Sequence, residues 1–249
     1  MAGKICVIAS VVQGNGSKYV ATNLASEIMK REKNRRVLLV DFDFENPFLA
    51  HEFVKHDEVH GVDNLANNIT SEGIADELFM ENVISTKLDV DVLRGTQFIE
   101  KGKMFSNQHI QVILEKAQKL YDFVYVVVNG KANNAGTIIS LMKTDELVLV
   151  LRNNYSNLLK VERMMKLVEQ YAPSKKVKVV YNFKNLTSNL NINKKFEESN
   201  AQILGVLEYE EKGIDNLNLE KKDSVFGRSP NIKVFTKMNK EIWVEKEAK

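Results

Sequence analysis

The sequence predicts a doubly wound α/β fold, a mainly parallel, twisted sheet with helices on both faces. Three observations carry this. Seven short apolar runs recur along the chain, rich in Val, Ile and Leu and without polar alternation, as strands covered on both faces require. Longer amphipathic segments separate them, and strand–helix–strand repetition closes by right-handed crossovers. The first two runs end in glycines and carboxylates, and an open parallel sheet holds its ligands beyond the carboxyl ends of its strands.

In chain order, strands are predicted at Ile5–Ala9, Val37–Val40, Val90–Leu93, Phe123–Val128, Leu147–Leu151, Val177–Tyr181 and Ile203–Leu207. Helical patterns cover Lys18–Arg31, Gln108–Leu120, Ser156–Tyr171 and a terminal segment from Pro230 to Lys246. In the third helix Ser156 reads as the N-cap, with Leu158, Val161, Met165 and Val168 on one face. No linker-like tract, low-complexity segment or fixed-period repeat interrupts the 249 residues, so residues 1–249 read as one domain.

Composition narrows the function. A formal net charge of +2 carries no global signal for nucleic acid, leaving only patch-wise DNA contact. The single cysteine, Cys6, excludes an intrachain disulfide and a cysteine-rich metal site, and fits a reducing cytoplasm. There is no signal-peptide pattern and no apolar stretch of the roughly 20 residues that spanning a bilayer takes. A cytoplasmic protein is expected.

The first strand runs into Ala9-Ser10-Val11-Val12-Gln13-Gly14-Asn15-Gly16-Ser17-Lys18-Tyr19-Val20-Ala21-Thr22-Asn23-Leu24-Ala25. A glycine-containing turn between a buried strand and a helix can wrap backbone N–H groups around a phosphate. A plain tight turn has the same composition. The ending Ala21-Thr22-Asn23-Leu24-Ala25 resembles the deviant Walker A region of the ParA/MinD-like P-loop ATPases, whose pattern is Lys-Gly-Gly-x-Gly-Lys-Thr-Thr-x-Ala-x-Asn-Leu-Ala. In that register Gly14 and Gly16 are retained. The family's signature lysine falls on Val12, its first glycine on Gln13, its phosphate-binding lysine on Ser17 and its magnesium-binding threonine on Lys18. Ser17-Lys18 is a transposed Lys-Ser pair, and one residue along a helix rotates a side chain by about 100°.

The second strand ends Asp41-Phe42-Asp43-Phe44-Glu45-Asn46-Pro47-Phe48-Leu49, two carboxylates that face the first loop if the strands are neighbours. This resembles the Walker A′ segment, and the Pro-x-Leu tail leans toward the bacterial tyrosine-kinase and CpaE/TadZ-like branches. Gly61-Val62-Asp63-Asn64-Leu65 and Leu88 through Gly95 resemble the family's middle stretch, with Arg94 where a Pro or Ala is usual. Tyr121-Asp122-Phe123-Val124-Tyr125-Val126-Val127-Val128-Asn129 resembles a Walker B strand in which the aspartate is replaced by apolar Val127 and the following prolines by Asn129 and Gly130. Val179-Val180-Tyr181-Asn182 resembles the segment whose asparagine reads the adenine edge. Leu204 through Glu208, Phe226-Gly227 and the terminal helix complete the match.

The resemblance implies that Gly14, Asn15, Gly16, Ser17, Lys18 and Tyr19 hold the phosphates of ATP or ADP, with Asn182 at the base. It implies that Asp41, Asp43 and Ser17 are the groups for Mg²⁺, and that Lys18 and Asp41 are what remains of the catalytic pair. It implies a homodimer with a protein partner from a partition, pilus or secretion system, recruited to a pole, nucleoid or membrane surface. The erased residues favour a nucleotide switch or relic with weak or absent hydrolysis. The alternatives are an active ATPase in DNA or plasmid segregation, and a nucleotide-free scaffold of a pilus or secretion system.

Three further features have bland readings. The terminal helix is basic and amphipathic, and reads as a closing layer of the sheet rather than a membrane-surface helix. Lys175-Lys176 and Lys194-Lys195 read as solvated clusters. His51, His56, His60 and His109 match no zinc spacing.

Overall fold

The computed structural model describes residues 2–53, 61–152, 154–184, 196, 201–209 and 231–243. In chain order the elements are β1 (Lys4–Ser10), α1 (Ser17–Arg31), β2 (Val37–Asp41), α2 (Val62–Asn67), α3 (Asp76–Glu81), β3 (Val83–Ser85) and β4 (Asp91–Leu93). There follow α4 (Asn107–Leu120), β5 (Phe123–Val128), α5 (Ala135–Lys143), β6 (Glu146–Leu151), α6 (Tyr155–Tyr171), β7 (Val177–Lys184), β8 (Ala201–Glu208) and α7 (Ile232–Trp243). The strands form one sheet in the order β3-β4-β2-β5-β1-β6-β7-β8. Every pair is parallel except β3 with β4.

Alternate residues of one strand feed two separate cores. Ile5, Val7 and Ala9 of β1 pack with Ile110, Ile113, Leu114, Ile139 and Val161 from α4, α5 and α6. Cys6 and Ile8 face the other way, toward Leu24, Phe235, Met238 and Ile242 from α1 and α7. Both faces are therefore dry, which is why the strands read as unbroken apolar runs. Complete burial pushes the Cys6 thiol far above its ordinary value, so it packs as a small hydrophobe.

All seven expected strands pair in this sheet. The three-residue β3 and the helices α2, α3 and α5 were not anticipated, being too short to show a period. The N-cap expected at Ser156 is corrected to Asn154, whose side-chain oxygen accepts from the Asn157 backbone at 2.9 Å. Tyr155 and Ser156 already lie within α6. On that helix Val161 and Val168 are buried, and Met165 packs beside them. The apolar face of α7 is covered by the sheet and α1, as the closing-layer reading expects. His109 completes a capping box with Ser106 at the start of α4. Pro230, Lys246, Lys194, Lys195, His56, His60, Phe226 and Gly227 lie outside the described residues. Among the described residues no helix is long and apolar enough to cross a membrane.

Candidate functional site

β1 lies between β5 and β6, so the loop that follows it opens at the carboxyl end of a central strand. Two glycines shape that loop. Gly14 has φ +83° and Gly16 φ +91°, in the left-handed region that side chains avoid. A Cβ on Gly16 would also stand 2.2 Å from the Asn182 side-chain nitrogen. Gly16 is the N-cap of the 15-residue α1, with no side-chain cap and no acidic residue in the first turn. An uncapped helix N-terminus on a glycine turn suits an anion, through its exposed N–H groups and the helix dipole.

The loop is pinned from outside by asparagines. Asn15 is buried, and its Nδ2 donates to the Val150 carbonyl at 3.1 Å and to Asn157 Oδ1 at 2.6 Å. Asn182 Nδ2 donates to the Asn15 carbonyl at 2.7 Å, and Asn182 Oδ1 accepts from the Phe183 N–H at 3.1 Å. Both ends of the Asn182 amide are thus engaged, and it holds the loop where sequence reasoning had it reading adenine. The Asn15 side chain likewise faces β6 and α6. Tyr19 stacks its ring toward Phe183 and Phe235, with centroids at 6.2 and 5.9 Å. The roles of Asn154 and Asn157 were missed, because the helix start was read from Ser156 and nothing in an asparagine beside it signals a bond to a loop far earlier in the chain.

β2 pairs with β5, which sets Asp41 beside Val127 at the strand ends. Asp41 is fully buried. Its Oδ1 accepts from the Asp43 N–H at 3.2 Å, its Oδ2 from the Leu49 N–H at 2.8 Å, and Lys18 Nζ lies 3.6 Å from Oδ2. Lys18 also donates to the Asn46 carbonyl and lies 5.8 Å from the Phe48 ring centroid. The turn at Pro47 brings Asn46, Phe48 and Leu49 back over Asp41, a closure that the residues alone did not announce. Desolvation raises the Asp41 carboxyl above its ordinary range, opposed by Lys18 and the two backbone donors. Lys18 and Asp41, expected to be catalytic remnants, are thus joined to one another.

The expected metal ligands fare less well. Mg²⁺ demands near-octahedral oxygen coordination at about 2.0–2.1 Å and keeps several waters. Asp41 already has both oxygens bonded and an ammonium beside it, and Val127 adds no ligand. Ser17 is buried at the first position of α1. Among the described residues no group of three His, Cys, Asp or Glu side chains converges. Asp41 and Val127 thus offer a divalent ion no open ligand, whereas Asp43 keeps one oxygen unpartnered in the cleft beside the loop.

Beside the loop, a cleft of about 480 Å³ is lined by Val12, Gln13, Asp43, Asn129, Lys131, Lys160 and Arg163 among others. Asp43 Oδ1 and Asn129 Nδ2 are buried there without a hydrogen-bond partner. Burial pushes Asp43 up to about 6, with Lys18 pulling the other way. Asn129 Oδ1 accepts from the Lys131 N–H and the Thr137 hydroxyl, so its amide is fixed with the nitrogen uncommitted. One acceptor and one donor therefore face a cleft that Lys131, Lys160 and Arg163 also line. A smaller cleft of about 390 Å³, near Arg31, Asp122 and Trp243, lies at the opposite, amino ends of the strands.

No protein-family model matches the chain, and no curated protein sequence matches it. Solved structures do. A ParA family ATPase from Chlorobium tepidum superposes with a TM-score of 0.82 at 18% identity, over 96% of this chain and 99% of that one. MinD in the MinC:MinD cell division complex of Aquifex aeolicus gives 0.76 at 16% identity, over 96% and 95%. A plasmid partition protein from Borrelia burgdorferi bound to AMPPNP gives 0.69 at 16% identity, over 95% and 96%. From β1 to α7 the chain has the fold of the ParA/MinD ATPases.

Proposed function

We propose that this chain is a positioning or partition-type protein of the ParA/MinD kind, with one domain and a pocket that binds nucleotide as a switch and hydrolyses it slowly or not at all. The carrying observation is the Lys18–Asp41 pair at the foot of the glycine loop. The glycine turn and the amides that open α1 offer a phosphate site, while the carboxylate that would act on a nucleophilic water is buried, doubly bonded and paired with its own lysine. A homodimer, docked on a protein partner and through it on DNA or a membrane surface, is the corresponding assembly, since a relative of this fold is solved in complex with MinC.

One observation favours a second reading. The Asn182 clamp on Asn15 holds the loop in shape through contacts within the chain, as a nucleotide-free scaffold of a pilus or secretion system needs.

Thermal unfolding with ATP or ADP, alongside a phosphate-release assay, separates these readings. A ligand that prefers the folded state raises the unfolding midpoint. A rise without turnover is the expected result. Turnover near about one per second, abolished by Asp41→Ala, overturns the switch in favour of an ATPase. No rise with any nucleotide moves the scaffold to the front.

A further inference from the structure

We infer that Lys18 is the resident cation of this pocket, so that the chain binds a nucleoside di- or triphosphate without a divalent metal. The inference rests on the nucleotide-binding reading and says which counter-charge that site uses.

The geometry is that of a cation site already filled from within. Lys18 is the second residue of α1, its side chain only 13% exposed. Its ammonium is surrounded by the Asp41 carboxylate, the Asn46 carbonyl and the Phe48 ring, a set that would suit any small cation. An ammonium has three donors, and the Asn46 carbonyl takes one. The Asp41 carboxylate faces a second, so one donor remains for a phosphate oxygen arriving at the helix N-terminus. A divalent ion bonded to the same Asp41 oxygen would stand within about 6 Å of the ammonium, two positive charges against one. Val127 supplies no ligand to offset that repulsion, and Asp43, the carboxylate with an unpartnered oxygen, lines the adjoining cleft. A phosphate meets the opposite situation, with one fixed positive charge aligned with the dipole of a 15-residue helix.

The test is calorimetric titration of the full chain with ADP, in excess EDTA and in excess Mg²⁺. The dissociation constants are expected to agree within about threefold. A larger gain in affinity with Mg²⁺ overturns the inference and leaves the nucleotide reading standing. Binding in neither buffer overturns the nucleotide reading, and the inference with it. The variant Lys18→Met should weaken ADP binding in EDTA by about tenfold or more. Because that change strands the Asp41 charge, the double variant Lys18→Met with Asp41→Asn removes both charges and provides a folded comparison. Wild-type affinity in EDTA for that double variant overturns the assignment of Lys18.

Discussion

Asn182 and Asn15, 167 positions apart in the chain, meet through a 2.7 Å hydrogen bond from the Asn182 amide nitrogen to the Asn15 carbonyl, directly over Gly16. The end of β7 thereby fixes the loop that follows β1. Asn182→Ala should cost about 1–3 kcal/mol in chemical denaturation, the usual consequence of leaving a buried carbonyl unpaired. Gly16→Ala should cost more, combining the clash at 2.2 Å with a left-handed φ. The double variant should cost less than the sum of the two by at least about 0.5 kcal/mol, because one clash partner is gone. Additive values would show that the two residues do not share a contact.

A second clamp ties the chain's last helix to the sheet. The Tyr125 hydroxyl donates to Asn239 Oδ1 at 2.8 Å and accepts from Trp243 Nε1 at 2.6 Å, while Asn239 Nδ2 donates to the Leu24 carbonyl at 2.9 Å. Burial holds the phenol protonated, so it stays a donor at any ordinary pH. Tyr125→Phe should lower stability by about 1–3 kcal/mol. Trp243 is the only tryptophan, so its fluorescence during denaturation reports this joint directly. An unchanged unfolding midpoint would contradict the assignment.

Asp43 should leave a mark on the pH dependence of stability. Its folded value of about 6 lies above the ordinary 3.8, so the fold favours the protonated form. That contribution is fully present below about pH 4 and is lost as pH rises through about 6. Asp43→Asn keeps a neutral side chain throughout. The variant should therefore gain on the wild type as pH rises from about 4 to 7, by at most about 3 kcal/mol. Denaturation at a series of pH values checks this, and a gap that narrows with rising pH would reverse the assigned shift.

Restoring Ser17→Lys together with Lys18→Thr tests the register of the loop. Such a change near a helix terminus ordinarily costs about 1 kcal/mol or less. The structure raises that figure, because Asp41 loses the ammonium beside it while fully buried, a situation that costs about 3–5 kcal/mol. The double variant should be destabilised alone and rescued by Mg·ATP, which it should bind about tenfold more tightly than the parent, or about 1.4 kcal/mol. If the variant folds and binds no better, the loop is not a transposed phosphate loop.

The residues announced the sheet more clearly than the site. β1, β5 and β6 are buried on both faces, so their inner positions are apolar, and the runs were plain to see. The glycines at 14 and 16 were legible because their backbone angles exclude other residues. What Lys18 and Asn182 do was not legible. A long side chain at the first turn of α1 can reach several places, and the Pro47 turn decided that it reaches Asn46 and Asp41. The Asn182 amide could serve a ligand or a carbonyl equally well, and the approach of β7 to the loop settled it.

The central place of β1 bears on how the protein is made. Lys4 pairs with Phe123, and Cys6 with Glu146, so β1 has no neighbour in the sheet until β5 and β6 have been synthesised. Such distant pairings close slowly. The Asn182 bond to the loop comes later still. β1 and its glycine turn must therefore wait, exposed or sheltered by a chaperone, until β7 has emerged. The loop's final shape arrives only with β7, and a ribosome stalled before that strand releases a chain with the loop's sequence but without its shape.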